Sequence, residues 1–180
     1  MEFDALLDLW VTTATTFLVL LFARALLHKA ADLGRFTGFL GNYNVLPRAG
    51  LTIAAYGLIA LEGLIVLLLV TPQLNQLGAA LAIGVLFLYA AVIALNVAKG
   101  HREIECGCGG PAMLLSYGLV LRNIAVAAIA LPLVLSSDSP ISTTDTAVAV
   151  ACGATLYLFY VVAEQLLANL KQADLQGSFR

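Results

Sequence analysis

The chain has 180 residues, 61% of them hydrophobic and only 11% charged, with a net charge of −2. A soluble domain carries about 25% charged residues, and a mean hydropathy of +0.96 leaves a surface that lipid solvates and water does not. A water-soluble globular domain is excluded, and no nucleic-acid partner is expected.

Crossing ~30 Å of hydrocarbon at 1.5 Å per residue takes roughly 20 apolar residues. Five stretches meet that requirement, over residues 9–27, 51–70, 77–98, 114–135 and 146–167. The short alternating segments of a membrane β-barrel are absent. The expected fold is all-α, a polytopic membrane bundle forming one domain over residues 1–180.

The first span is expected to be retained rather than cleaved. Its leading residues include Glu2, Asp4 and Asp8 and no basic residue, the opposite of a secretory n-region. After it, residues 30–50 mix Phe36, Phe39, Leu40, Tyr43 and Leu46 with glycines and two arginines. That composition suits a segment lying on the membrane surface or folding beneath the bundle. Gly57, Gly63, Gly78 and Gly84 are small residues of the kind that let spans pack closely.

Lys29, Arg35, Arg48, Lys99, Arg102, Lys171 and Arg180 fall in the first loop, the third loop and the C-terminal tail, whereas the other loops hold no basic residue. The positive-inside rule then sets the N-terminus outside and the C-terminus and third loop in the cytoplasm.

One acidic and one basic group lie deep in spans. Glu62 and Arg122 are each 11 residues from the predicted inner end of a helix, counting from Leu51 and Pro111. Both then lie ~16 Å deep, and since an intramembrane charge faces the bundle interior with a partner, they are expected to pair. A packing clamp is the favoured reading over a proton relay or a binding site for a polar head. Asn96 and Asn123 are expected to join this seam. Arg24 and His28 are expected to snorkel to the interface.

The third loop reads Lys99-Gly-His-Arg-Glu-Ile-Glu-Cys-Gly-Cys-Gly-Gly-Pro111. Cys106 and Cys108 are close enough to oxidise to each other in a tight ring whose strain would make the bond reducible. Pro111 suits the first position of a helix. Cys108, three residues earlier, would then feel the positive end of the helix dipole, which lowers thiol pKa. His101 with the two thiolates offers a competing soft-metal reading, but only two thiolates are present and no metal site is predicted. Two incidental cysteines in a flexible loop are the bland alternative. Cys152, in the outer half of the last span, is expected to be a buried structural thiol.

The string Glu105-Cys-Gly-Cys-Gly-Gly, followed by Leu-Ser-Tyr-Gly-Leu-Val-Leu-Arg-Asn123, resembles the methylamine-utilisation MauE family of DoxX-like membrane proteins. So do Lys29, Tyr43-Asn-Val-Leu-Pro47 and Glu62. The resemblance covers roughly residues 15–130 and departs at Gly109, where the family commonly has an aromatic. It implies a bacterial inner-membrane protein with a DoxX-like core in the first four spans. It also implies thiol–disulfide chemistry in the maturation of methylamine dehydrogenase, a disulfide-rich periplasmic enzyme, alongside a thioredoxin-like partner of the MauD type. On this resemblance Cys106 and Cys108 are the redox residues, and Glu62, Arg122 and Asn123 are intramembrane polar positions.

The leading expectation is therefore a thiol–disulfide redox protein, with Cys108 the better nucleophile. The rival from another class is a non-catalytic membrane anchor or accessory subunit of a periplasmic or respiratory enzyme complex. No cofactor is predicted. A quinone head near Glu62 and Arg122 is chemically allowed, and no motif supports one.

Overall fold

A computed structural model describes residues 2–43, 47–101, 103–107, 113–135 and 143–177. The described residues form helices α1 (Glu2–Ala31), α2 (Leu33–Asn42), α3 (Leu51–Val70), α4 (Asn75–Ala98), α5 (Tyr117–Leu135) and α6 (Thr143–Gly177). All except α2 are long and apolar enough to cross a membrane. The all-α membrane bundle read from composition is thus the observed architecture.

Helix α1 packs on α3 and α6, α3 on α4, and α4 on α5. The central apolar cluster is built by four helices, with Phe17 and Leu18 of α1, Ile65 of α3, Val85 and Leu86 of α4, and Leu133 of α5. Helix α6 contributes only partly buried residues such as Leu156 and Tyr160. It is therefore laid against the outside of a four-helix core.

The residue that lets it lie there is Gly153. A Cβ at that position would meet the Thr13 carbonyl oxygen at 2.5 Å and Thr16 Cβ at 2.7 Å. Gly78 plays the same part between α4 and α3, where a Cβ would stand 2.8 Å from Leu69 N. Gly57 and Gly84, expected to be packing glycines, have no atom within 4 Å of such a Cβ. Cys152 is exposed rather than buried. Helical geometry explains this, because a residue next to Gly153 is rotated ~100° from the face that α1 covers.

The intramembrane charges pair differently from the expectation. Glu62 does not meet Arg122. Its Oε1 takes a hydrogen bond from Lys29 Nζ and a second from the Tyr89 hydroxyl at 2.7 Å. Arg122 instead donates to Glu164 Oε1 at 2.7 Å, and Arg24 donates to Glu164 Oε2 at 3.1 Å. Arg24 is thus tied down rather than snorkelling.

Two physical reasons underlie the difference. Helix α5 begins at Tyr117, not near Pro111, so Arg122 is only five residues in and ~8 Å deep. Lys29, counted as a loop residue, is in the last turn of α1 and 2% exposed. Helical side chains tilt toward their own N-terminus, and α1 and α3 run antiparallel, so Lys29 and Glu62 lean toward each other. Asn96 and Asn123 stay out of both clusters, each bonding the carbonyl one turn back in its own helix, Val92 and Leu119.

Replacing Glu62 by Ala strands the Lys29 ammonium in an apolar interior. A loss of ~3–5 kcal/mol is expected, and thermal unfolding of the detergent-solubilised protein should show it. Gly153→Leu overfills the α1–α6 contact and should cost ~1–3 kcal/mol, read by the same measurement.

Candidate functional site

Helix α4 stops at Gly100. Its φ of +86° is a left-handed conformation that a residue without Cβ adopts freely. The His101 amide donates to Asn96 O at 3.0 Å and the Gly100 amide to Val97 O at 3.0 Å, which satisfies the last carbonyls in the pattern of a Schellman cap.

The chain then doubles back on itself. Glu105 and Leu114 form an isolated antiparallel bridge. The Cys106 amide donates to Met113 O at 2.9 Å, and the Leu115 amide to Ile104 O at 3.0 Å. Residues 113–115 are used in this pairing, which delays the start of α5 to Tyr117 and removes the ground for a helix dipole acting on Cys108. Cys108 itself, with Gly109, Gly110 and Pro111, lies outside the described residues.

Cys106 is disulfide-bonded, and Cys152 is a free thiol. Cys106 is buried in an apolar cluster with Tyr43, Ile93, Val97, Leu115 and Leu119. The Tyr43 hydroxyl donates to the Cys106 carbonyl at 2.8 Å. Burial pushes the Tyr43 phenol up to about 12, with the Arg122 charge opposing the shift. The hydroxyl therefore stays protonated, and able to donate, across the physiological range.

Gly107 follows with φ +65°, and a Cβ there would lie 2.8 Å from Phe39 Cδ2. Only glycine satisfies both the turn and the contact. Phe39 belongs to α2, which starts where Asp32 Oδ1 accepts from the Arg35 amide at 2.9 Å, an N-cap. Arg35 lies over the Phe39 ring at 5.3 Å and reaches Glu105 at 3.5 Å. The segment expected to lie on the membrane surface or fold beneath the bundle is thus a helix that braces the cysteine loop.

A cavity of about 450 Å³ runs between α2, α3, α4 and the loop. Its walls are almost wholly apolar, yet they include Lys29 and Tyr89 from the buried charge cluster and Cys106 and Gly107 from the loop. The two features that sequence reading treated separately therefore share one space. Lys29 Nζ also lies 5.1 Å from the Tyr89 ring centroid and 5.4 Å from that of Phe36. Among the described residues, Glu62 Oε2 has no hydrogen-bond partner.

Of the residues singled out in sequence, the structure brings Cys106 and the Lys29–Glu62 pair to this cavity and sends Arg122 to a separate cluster. Asn123 is buried and bonded within its own helix. Sequence reading missed Tyr89 and Glu164. Two arginines inside spans set against one acidic residue was the signal that a second carboxylate had to be found. Among the described residues, no group of three or more His, Cys, Asp or Glu is placed to hold a metal.

The family model described as methylamine utilisation protein MauE matches residues 7–136, which end with α5. A methylamine utilization protein MauE of Paracoccus denitrificans is 36% identical over 162 residues, spanning 88% of this chain and 87% of the relative. Those of Paracoccus versutus and Methylorubrum extorquens are 32% and 36% identical, over 84% and 89% of this chain and 83% and 88% of each relative. No solved structure matches the chain. With a family model covering all four core helices and relatives aligned nearly end to end, the chain belongs to the MauE family.

Proposed function

We propose that this protein is an inner-membrane thiol–disulfide redox protein that supports disulfide formation or maturation of an exported enzyme of methylamine utilisation, such as methylamine dehydrogenase. The observation that carries the reading is the disulfide at Cys106, set in a loop shaped for it by Gly107, Tyr43 and Phe39. The name shared by the relatives supplies the metabolic setting.

Cys108 is the proposed bonding partner of Cys106. The exchange follows from the burial of Cys106. A thiolate of a thioredoxin-like partner attacks the Cys108 sulfur, and Cys106 leaves with the proton that the partner's thiol gave up, resting as a neutral thiol in its apolar cluster. The partner's second thiolate then attacks the mixed disulfide and releases Cys108. The partner departs oxidised, and the pair in this chain holds two electrons. A tight ring favours the forward direction, because strain makes a disulfide more oxidising.

The bias of lysine and arginine orients the chain with its N-terminus outside and its C-terminus cytoplasmic. A disulfide at the cytoplasmic face is transient and catalytic rather than structural, which agrees with an exchange role. In that orientation the pair takes electrons from a reductant on the inner side and passes them into the membrane, the first step of a route across the bilayer to the exported client.

The double variant Cys106→Ser, Cys108→Ser should abolish maturation of a disulfide-rich exported client while leaving the protein in the membrane. Unimpaired maturation overturns the redox role. A membrane-impermeant thiol reagent, applied after reduction, should label the pair in inverted vesicles and not in intact cells. The converse labelling overturns the orientation.

A further inference from the structure

The proposed exchange leaves two electrons and two protons on Cys106 and Cys108, and they must go somewhere. No second disulfide is present among the described residues, and Cys152 adjoins Gly153, which packs at the level of Thr13 and Thr16 on α1, far from the loop end of the bundle. The acceptor must therefore be a molecule that comes to Cys106. The cavity beside it states what kind of molecule.

At about 450 Å³ the cavity falls in the ~300–1,000 Å³ range of small-molecule sites. Its aliphatic and aromatic walls admit an apolar ring and reject an ionic one. It also meets the lipid, because Gly57 and Leu88 both line it and both are exposed on the outside of the bundle. A Cβ at Gly57 would find no atom within 4 Å, so the wall is open there.

One polar group among these walls is under-used. The Lys29 ammonium has three N–H donors and gives one to Glu62 and one to Tyr89. The third remains for an acceptor in the cavity that Lys29 lines. A membrane-dissolved molecule that is flat, apolar, carries a hydrogen-bond-accepting oxygen and takes up two electrons with two protons is a quinone.

We propose that this cavity binds a membrane quinone, which reoxidises the Cys106–Cys108 dithiol. The inference rests on the redox reading above. Two S–H bonds break and one S–S bond forms. Two electrons and two protons pass to the ring, whose two carbonyl oxygens become the hydroxyls of a hydroquinone. Lys29 binds one carbonyl oxygen and stabilises the negative charge that develops on it before protonation. The hydroquinone leaves sideways past Gly57, so no further thiol relay is needed within the chain.

The test uses the purified full-length protein in detergent, reduced, freed of reductant and mixed with decylubiquinone. The ring of that quinone is fully substituted, so Cys152 cannot add to it. Loss of quinone absorbance should accompany the loss of two thiols per chain. Gly57→Trp, which fills the cavity at its lipid opening, should slow quinone reduction ~10-fold or more. The same variant should exchange with glutathione disulfide at the unaltered rate. If the pair exchanges with glutathione disulfide but reduces no quinone, the quinone site falls and the redox reading stands. Equal rates in Gly57→Trp and the parent chain likewise overturn the site. If the pair exchanges with neither, the redox reading itself fails and takes this inference with it.

Discussion

The arrangement of this bundle follows from the impossibility of leaving a charge alone in hydrocarbon. An ionic group in the membrane interior is costly unless it faces a partner. Lys29, Arg24, Glu62, Arg122 and Glu164 are resolved into two clusters by that requirement. The Lys29–Glu62 pair pins α1 to α3. Glu164 receives Arg24 from α1 and Arg122 from α5, pinning α6 to both. Apolar contacts between spans are non-directional and tolerate sliding, since lipid tails are as apolar as leucine. The ion pairs are what select one register among the many that the apolar surfaces permit.

The loop depends on this register. Lys29 is buried at the end of α1, the chain turns at Asp32, and α2 packs on α3 with Phe36 buried. Phe39 and Tyr43 of this segment then receive Gly107 and the Cys106 carbonyl. The disulfide loop is held by Phe39 of α2 and by Ile93 and Val97 of α4 and Leu119 of α5. A rearrangement of the Lys29 cluster would therefore be felt at Cys106 through the packing of one short helix.

Much of this was legible in the sequence. The five spans follow from apolar length alone, and Glu62 and the Cys-Gly-Cys loop stand out as chemistry in an otherwise apolar chain. The partner of Glu62 was not legible, because pairing depends on where helices start and on side-chain direction. Pro111 looks like a helix start, and only the backbone pairing of Glu105 with Leu114 reveals that the helix waits until Tyr117. Lys29 looks like a loop residue because it ends an apolar run, although a long side chain tilted back along its helix can reach the interior. Cys152 looked buried because a thiol within a span is apolar. Which face of α6 meets α1 is decided by Gly153, and one residue of offset turns Cys152 outward.

The sharing of Glu164 also has a consequence for how the protein is made. Arg24 and Glu164 are separated by 140 residues, almost the whole chain. During synthesis the first span enters the membrane with its arginine uncompensated, while the carboxylate that will neutralise it has not been translated. Arg122, 42 residues from Glu164, waits in the same way for a shorter time. Until α6 arrives, two guanidinium groups must be kept wet, or held by lipid phosphates or the insertion machinery. The four-helix core can collect its apolar contacts early, but its charges are not settled until α6 docks, so a helix made late completes one made long before it.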